Sequence, residues 1–312
     1  MKRIQYHRYG GPEEMRLEDF ELDRPMAGQI VVRVKAAAAN PVDWKIRNGA
    51  LKFMTGRRFP RAMGSDFSGV VEAVGPSVTR FNVGDDVLGT LPAKAGGAFA
   101  DRLMADEKVV ILKPAALSFE QAATLPIVGV TAWRGLVDKA RLQRGQSVFV
   151  HGCLGGVGRM ATQLAKSLGA DVSGSCRATA MDDARVMGLN RVVDYRQFSA
   201  ETLQGQFDVV FDTAGTLSLR DGRTLLKPGG VVLDISPSPG KLLGLFLSRQ
   251  HKLVVAKIST EVLTKVAEVA ATGRLRSEIG KTVPLAMAIP ALTALEKQGT
   301  PQGKLVITWG QS

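Results

Sequence analysis

Three glycines at three-residue spacing, Gly152, Gly155 and Gly158, are the residues of this chain whose types and positions point most directly to chemistry. A short apolar run over 147–150 precedes them, and Val157, Ala161, Leu164, Ala165 and Leu168 follow with helical period. Strand, glycine turn and helix in that order make the phosphate-binding end of a dinucleotide crossover. The first glycine lets the chain turn off the strand, and the middle ones let backbone N–H groups approach a pyrophosphate. Gly158 lets the helix pack closely on the sheet. The helix N-terminus then faces the anion. A tight structural turn is the alternative for the glycines alone, but the strand before and amphipathic helix after favour a cofactor cradle built from Gly152, Gly155, Gly156, Val157 and Gly158.

The end of the next strand decides which dinucleotide is expected. Enzymes that use NAD place an Asp or Glu about 20 residues past the start of the glycine motif, where it holds the ribose 2′-hydroxyl. Here the sequence at that place is Ser173-Gly174-Ser175-Cys176-Arg177. Asp171 falls near the beginning of the strand, so its exit carries no carboxylate to repel a 2′-phosphate, while Arg177 can pair with one. NADPH is the expected cofactor, with Cys176 and Arg177 beside it. The alternative for Arg177 is a solvated loop arginine.

Elements that would position these groups change character near residue 125. Before it, 30–34 and 67–74 read as strands linked by turns rich in Gly, Pro, Asn and Asp. Ser118 with Gln121 forms a possible capping box, so a helix is expected from Phe119. Beyond it, strands are expected at 147–150, 172–175, 191–194, 208–212, 231–235 and 252–257, with helices between most of them, which predicts a doubly wound parallel sheet. Helices over 261–272 and 286–297 and a strand over 304–308 close the chain. This tail is expected to return to the first domain. The fold class is therefore α/β, with a Rossmann domain over 126–259 and a mostly-β domain over 1–125 and 260–312.

Composition narrows the class further. The 312 residues, 45% hydrophobic, can bury a large core. Two cysteines, Cys153 and Cys176, cannot staple a fold of this size or build a cysteine-rich zinc site. Buried packing is the plainer role for both, redox sensing the alternative. No apolar run approaches the ~18 residues of a membrane span and the N-terminus has no apolar signal core, so no membrane partner and a cytoplasmic location are expected. A formal charge of +12 favours anionic partners. Its small clusters (Arg57, Arg58 and Arg61; Arg141 and Arg144; Arg220 and Arg223) are scattered and aromatics are few, which suits anionic small molecules better than nucleic acid. No Gly-x-Ser-x-Gly elbow occurs, which argues against an α/β-hydrolase.

Several ordered motifs run over nearly the whole chain: NPVDWKIRNG from Asn40, GSDFSGVVEAVG from Gly64, FNVGDDVLG from Phe81, GGAFADRLMADEKVVILKP from Gly96, ATLPIVGVTAW from Ala123, FDVVFDTAG from Phe207, LLKPGGVVLDIS from Leu225 and GKLVI from Gly303. With the glycine turn, they resemble zinc-free medium-chain dehydrogenases/reductases of the quinone oxidoreductase (zeta-crystallin-like) or enone reductase type. The resemblance implies a GroES-like β domain, split in sequence, clasping a Rossmann domain with the active site in the cleft, and homodimers formed through the sheet edge, for which 252–257 is the candidate strand. It places Asn40 and Thr131 at the nicotinamide and Tyr195 by the adenosine phosphate. Asn40 could instead be a turn former, and Tyr195 a packing residue. Lys45 matches a lysine that reaches the cofactor ribose and the substrate oxygen, where a cation could stabilise an enolate; with Asn40 it is the catalytic candidate. Ala214, Gly215, Ile235 and Ser236 should border the ribose and nicotinamide. Lys304 is a further candidate for the cleft, or a charged strand terminus.

Zinc-dependent relatives place a cysteine where this chain has Asn40 and a Gly-His-Glu where it has Gly64-Ser65-Asp66. Two metal ligands are thereby lost, so no metal site is expected, and Asp66 is expected to orient its neighbours. Without a Lewis acid the natural reaction is hydride delivery from NADPH to an acceptor already electrophilic, a quinone or the β-carbon of an α,β-unsaturated carbonyl. A small-molecule substrate is the expected partner. The alternative is a catalytically weak NADPH-sensing or nucleic-acid-binding protein on the same fold, favoured by the basic charge and the lack of an assured proton donor.

Overall fold

The computed structural model describes residues 1–235, 241, 250–299 and 303–309. The chain divides into two compact units: Met1–Ile127 with Ile258–Ala271 and Ser277–Ser312, and Val128–Lys257 with Thr272–Arg276.

The first unit begins with β1 (Lys2–Tyr6), which pairs on one side with β2 (Arg16–Asp19) and on the other with β4 (Arg61–Ala62). The main sheet is built on β3 (Gln29–Ala38), β5 (Asp66–Val74), β6 (Asp86–Thr90), β7 (Arg102–Asp106) and β8 (Val110–Leu112). Ile30, Val32 and Val34 alternate along β3 and are buried, the period expected of a strand with one face on a core. The strand runs four residues past the 30–34 expected from pattern, because Ala36, Ala37 and Ala38 are too small to show a hydrophobic signal. They nonetheless pair with Ser68, Phe67 and Asp66 of β5. The helix Phe119–Ala123 starts as its capping box predicts: Gln121 N donates to Ser118 Oγ at 3.2 Å and Ser118 N to Gln121 Oε1 at 2.9 Å.

The second unit carries β9 (Ser147–His151), β10 (Asp171–Cys176), β11 (Arg191–Asp194), β12 (Phe207–Asp212), β13 (Leu226–Asp234) and β14 (His251–Leu253). All pair in parallel, in the order β11-β10-β9-β12-β13-β14. This is the doubly wound Rossmann order, and its direction reverses between β9 and β12. Val148, Phe149 and Val150 on one strand and Val209, Val210 and Phe211 on the other are buried without alternation, as a sheet covered on both faces requires. The strand expected over 252–257 is shorter than its pattern. Its partner β13 ends at Asp234, pairing stops at Leu253, and Val255 is exposed. A helix over Pro126–Trp133 and the π-helical turn that follows it, Arg134–Lys139, had no pattern signal: the first is apolar on nearly every face, and the second is too short to show a period.

The chain then returns to the first unit through the helix Thr260–Ala271, β15 (Ile279–Pro284), the helix Ala288–Gln298 and β16 (Lys304–Thr308). β16 pairs antiparallel with β3, so the main sheet reads β15-β16-β3-β5-β6-β8, with β7 also on β3. The returning segments supply Val283, Leu292, Leu305 and Ile307 to the same buried cluster as Ile30, Phe67 and Phe99. Among the described residues no helix is long and apolar enough to cross a membrane.

Candidate functional site

At the end of β9 the glycine turn has the form its sequence predicts. Gly152 has φ +78°, a left-handed conformation that disfavours any side chain, and a Cβ there would lie 3.1 Å from the Ala214 Cβ. Gly155 caps the helix Gly156–Ser167, and both Gly155 and Gly156 are exposed. The N–H groups of Gly156, Val157 and Gly158 belong to the first helical turn, which has no intrahelical acceptors to offer them. Gly158 is buried beneath the turn, where a Cβ would sit 2.1 Å from the Gly152 carbonyl oxygen. The result is a backbone cradle, open at Gly155 and Gly156, at the positive end of a helix.

Arg177 follows β10 and is exposed. Tyr195 lies beside it, since its N–H donates to the Cys176 carbonyl at 3.0 Å. The guanidinium of Arg196 sits 5.7 Å from the centre of the Tyr195 ring, and its Nε donates to the Tyr195 hydroxyl at 3.3 Å. The two strand ends thus present Arg177, Tyr195 and Arg196 together. Sequence reasoning missed Arg196, although its place directly after the tyrosine was the available signal.

Beneath the turn, His151 ties three strand ends together. Its Nδ1 is 2.7 Å from Ser175 Oγ and its Nε2 2.9 Å from Thr216 Oγ1, and burial lowers its pKa. Asp212, at the end of β12, accepts from the N–H groups of Ala214 (3.2 Å), Gly215 (2.7 Å) and Leu217 (3.0 Å). Ala214 and Gly215 therefore border the turn by shape, their amides being spent on Asp212. Lys241 Nζ joins Asp212 (2.9 Å) to Asp234 (3.0 Å). Ile235 N bonds to the Asp212 carbonyl at 3.4 Å; Ser236 lies outside the described residues. Thr131, on the helix Pro126–Trp133, is buried.

In the first unit, sheet register builds a second cluster. Pairing of Val306 with Ala38 puts Lys304 opposite Asn40, and pairing of Ala38 with Asp66 brings the head of β5 alongside. Lys304 Nζ donates to Asn40 Oδ1 at 2.7 Å, and Asn40 Nδ2 donates to Asp66 Oδ2 at 2.9 Å and to the Ala38 carbonyl at 3.3 Å. Ile127 N also donates to Asp66 Oδ2, at 3.2 Å. Both amide protons of Asn40 are engaged, so it can act on a ligand only through its remaining acceptor capacity. Asp43, one turn into the helix Pro41–Arg47, accepts from Asn40 N (2.8 Å) and Ser65 Oγ (2.9 Å).

Burial dominates the electrostatics of this cluster. It pushes the Asp43 carboxyl up to about 7 against the opposing hydrogen bonds from Asn40 and Ser65. It raises Asp66 against the pull of Lys304, and lowers Lys304 against the pull of Asp66, 3.9 Å away. Lys45 is placed differently. Its helix is pinned by Arg47, 1% exposed, whose guanidinium grips Glu296 at 2.8 and 2.7 Å; Asp43, Ile46 and Arg47 face inward and Lys45 outward. Asn40 and Lys304 are thus brought together in the interior, and Lys45 is kept at the surface. Asp43 went unread in the sequence, although Asn40 and Asp43 have the spacing of a capping box.

Residues 26–115 match the alcohol dehydrogenase GroES-like domain family and residues 187–307 the zinc-binding dehydrogenase family. A quinone oxidoreductase of Pseudomonas aeruginosa is 31% identical over 322 residues, covering 96% of this chain and 97% of its own. The chain belongs to the medium-chain dehydrogenases/reductases, in their quinone oxidoreductase branch. A chloroplastic NADPH-dependent alkenal/one oxidoreductase of Arabidopsis thaliana is 34% identical over 245 residues, covering 76% of this chain and 62% of its own. The quinone oxidoreductase structure from Coxiella burnetii superposes with a TM-score of 0.90 at 29% identity, covering 99% of each chain. Members of this branch are oxidoreductases that use a nicotinamide cofactor, and the open backbone cradle at Gly155 and Gly156 fits the diphosphate of one.

The family also includes zinc enzymes, and the cluster at Asn40 does not suit that metal. Its groups are an amide whose oxygen already accepts from an ammonium, a hydroxyl that donates to Asp43, and two carboxylates, Asp43 and Asp66, that already accept from Asn40, Ser65 and Ile127. Zinc takes thiolate and imidazole nitrogen by preference, and neither is present there. Among the described residues, no three His, Cys, Asp or Glu side chains converge on a common point.

Proposed function

We propose that this reductase uses NADPH and works without zinc, delivering hydride to a quinone or to the β-carbon of an α,β-unsaturated carbonyl. The observation that carries the cofactor assignment is the exit of β10, where exposed Arg177 stands beside Tyr195 and Arg196 and the strand ends in Cys176 with no carboxylate of its own. A 2′-phosphate there would meet guanidinium groups that can bond it in bidentate fashion. The name of the Arabidopsis relative points the same way for cofactor and for the enone class. When bound, the nicotinamide supplies the hydride.

The chain's own residues hold and orient. The first helical turn at Gly156 and Val157 would hold the diphosphate, and Asp212 keeps the 214–215 turn in shape. In the other unit, Lys304 and Asp66 lock the Asn40 amide in one orientation. Lys45, exposed on its helix, would set a cation near the substrate oxygen, where negative charge would build during the reduction. The proton that completes the reduction comes from solvent, since no tyrosine follows Lys45 in the 46–58 segment.

The test is a comparison of acceptors. 1,4-Benzoquinone, 9,10-phenanthrenequinone and a short alkenal are each offered with NADPH or NADH, and loss of the reduced cofactor is followed. Turnover with NADPH on at least one of them supports the proposal, and the better acceptor assigns the class. Tight NADPH binding with no turnover on any acceptor would replace it with a nucleotide-sensing protein.

A further inference from the structure

The arginine cluster at 57–61 has no part in the reaction above, and the structure divides it. Arg61 is an internal strut: its guanidinium donates to the carbonyls of Thr55 (2.7 Å), Ala93 (3.4 Å) and Lys94 (3.2 Å). Arg57 and Arg58 are exposed, in a segment over 51–61 that carries the short helix Lys52–Thr55. Its inward residues fasten it. Tyr9 reaches the Thr55 hydroxyl at 3.0 Å and also the Gly56 carbonyl, and the Phe59 ring packs edge-on against Tyr6 and Tyr9, with centroids 5.9 and 5.1 Å apart.

Apart from Gly56 and Pro60, the exposed residues of this segment are of two kinds. Phe53 is 93% exposed and Met54 59%, and beside them stand Lys52, Arg57 and Arg58. Lys94, whose carbonyl Arg61 holds, adds a further exposed cation at the base. The sequence from Leu51 to Ala62 contains no carboxylate. A fully exposed phenylalanine on a segment fastened from behind is unfavourable in water, and the all-positive surround fits an anionic surface that can also take apolar side chains. A bilayer containing acidic phospholipid combines both: headgroup phosphates for the cations and an acyl boundary for Phe53 and Met54.

We propose that residues 52–58 form a docking tongue for an anionic lipid surface. This goes beyond the reductase reading and does not depend on it. Lys52, Arg57 and Arg58 meet the headgroups, while Phe53 and Met54 enter the interface. The association is peripheral and reversible, and it weakens as salt screens the charges.

The test uses the full chain with vesicles of phosphatidylcholine alone or with about 30% phosphatidylglycerol, the anionic component that attracts basic segments. Co-sedimentation with the anionic vesicles, lost at high salt, is expected, with little on the neutral ones. Arg57→Glu/Arg58→Glu and Phe53→Ser/Met54→Ser should each lower partitioning about tenfold or more, while thermal melting of both variants stays near that of the parent. A Met54→Cys variant carrying an environment-sensitive dye should brighten on anionic vesicles only; the native Cys153 and Cys176 are buried and stay unlabelled. Equal binding to both vesicle types, no binding to either, or unchanged binding of both double variants would overturn the proposal. Salt-sensitive retention on RNA in place of vesicles would overturn it in favour of a nucleic-acid partner. A raised KM for soluble quinone in Phe53→Ser/Met54→Ser, without vesicle binding by the parent, would assign the tongue to the acceptor.

Discussion

Arg177, Asp43 and Lys304 carry the predictions at the scale of single residues. Removing a guanidinium that makes charge-assisted bonds to a phosphate costs about 1.5–3 kcal/mol, so Arg177→Ala should raise KM for NADPH on the order of tenfold to a hundredfold and leave NADH kinetics unchanged. Equal effects on the two cofactors in steady-state assays would place Arg177 elsewhere. Asp43 makes a pH prediction. Its carboxyl is pushed up to about 7 by burial, above its unfolded value, so the folded state binds a proton more tightly than the unfolded one. The stability it contributes is full below the ordinary carboxylate range and is lost as pH rises towards 7. Urea midpoints of the parent and of Asp43→Asn should therefore move relative to each other, with the parent's advantage largest at acid pH. Lys304→Met leaves Asp66 buried without its cation and should destabilise the protein by about 3 kcal/mol, read by urea unfolding.

At the scale of elements, the glycine turn separates binding from folding. Gly158→Ala would drive a Cβ to within 2.1 Å of the Gly152 oxygen, a backbone atom that cannot yield, and should lower both the melting temperature and the affinity for NADPH. At Gly155 a Cβ would meet that same oxygen at 3.4 Å, an ordinary contact, and φ is −69°. Gly155→Ala should keep the melting temperature and weaken NADPH binding alone, as measured by fluorescence titration. These elements were legible because their signals are local: a strand, three glycines and a helix within one short stretch, and a capping box at Ser118. The strands at Arg191–Asp194 and Lys304–Thr308 fall where their patterns put them. The Asn40 cluster was not legible as a cluster. Its bond to Lys304 spans 264 residues and exists only because β16 pairs with β3 in one register, which periodicity does not encode. The Ala36–Ala38 end of β3 was likewise hidden, since alanine marks neither face of a strand.

For the molecule as a whole, the sequence motifs anticipated the two fold classes, and the structure shows what each unit contributes. The Rossmann unit supplies a backbone cradle and a guanidinium-lined strand exit; the GroES-like unit supplies a buried ammonium–amide–carboxylate chain and the exposed Lys45. Cys153 and Cys176 belong to the interior of the Rossmann unit. Burial, reinforced by the neighbouring thiol, pushes Cys153 up to about 12. Neither thiol should react appreciably with a disulfide reagent at mild alkaline pH until the protein unfolds. Prompt modification of the native protein would contradict their placement.

The central claim is NADPH-dependent reduction without a metal, and the measurement that tests it most directly is NADPH oxidation by a quinone after exhaustive dialysis against EDTA. The account predicts turnover equal to that of the undialysed protein, unchanged by added zinc and well above the rate with NADH. Turnover abolished by the chelator and restored by zinc would contradict the reading of Asn40, Ser65 and Asp66.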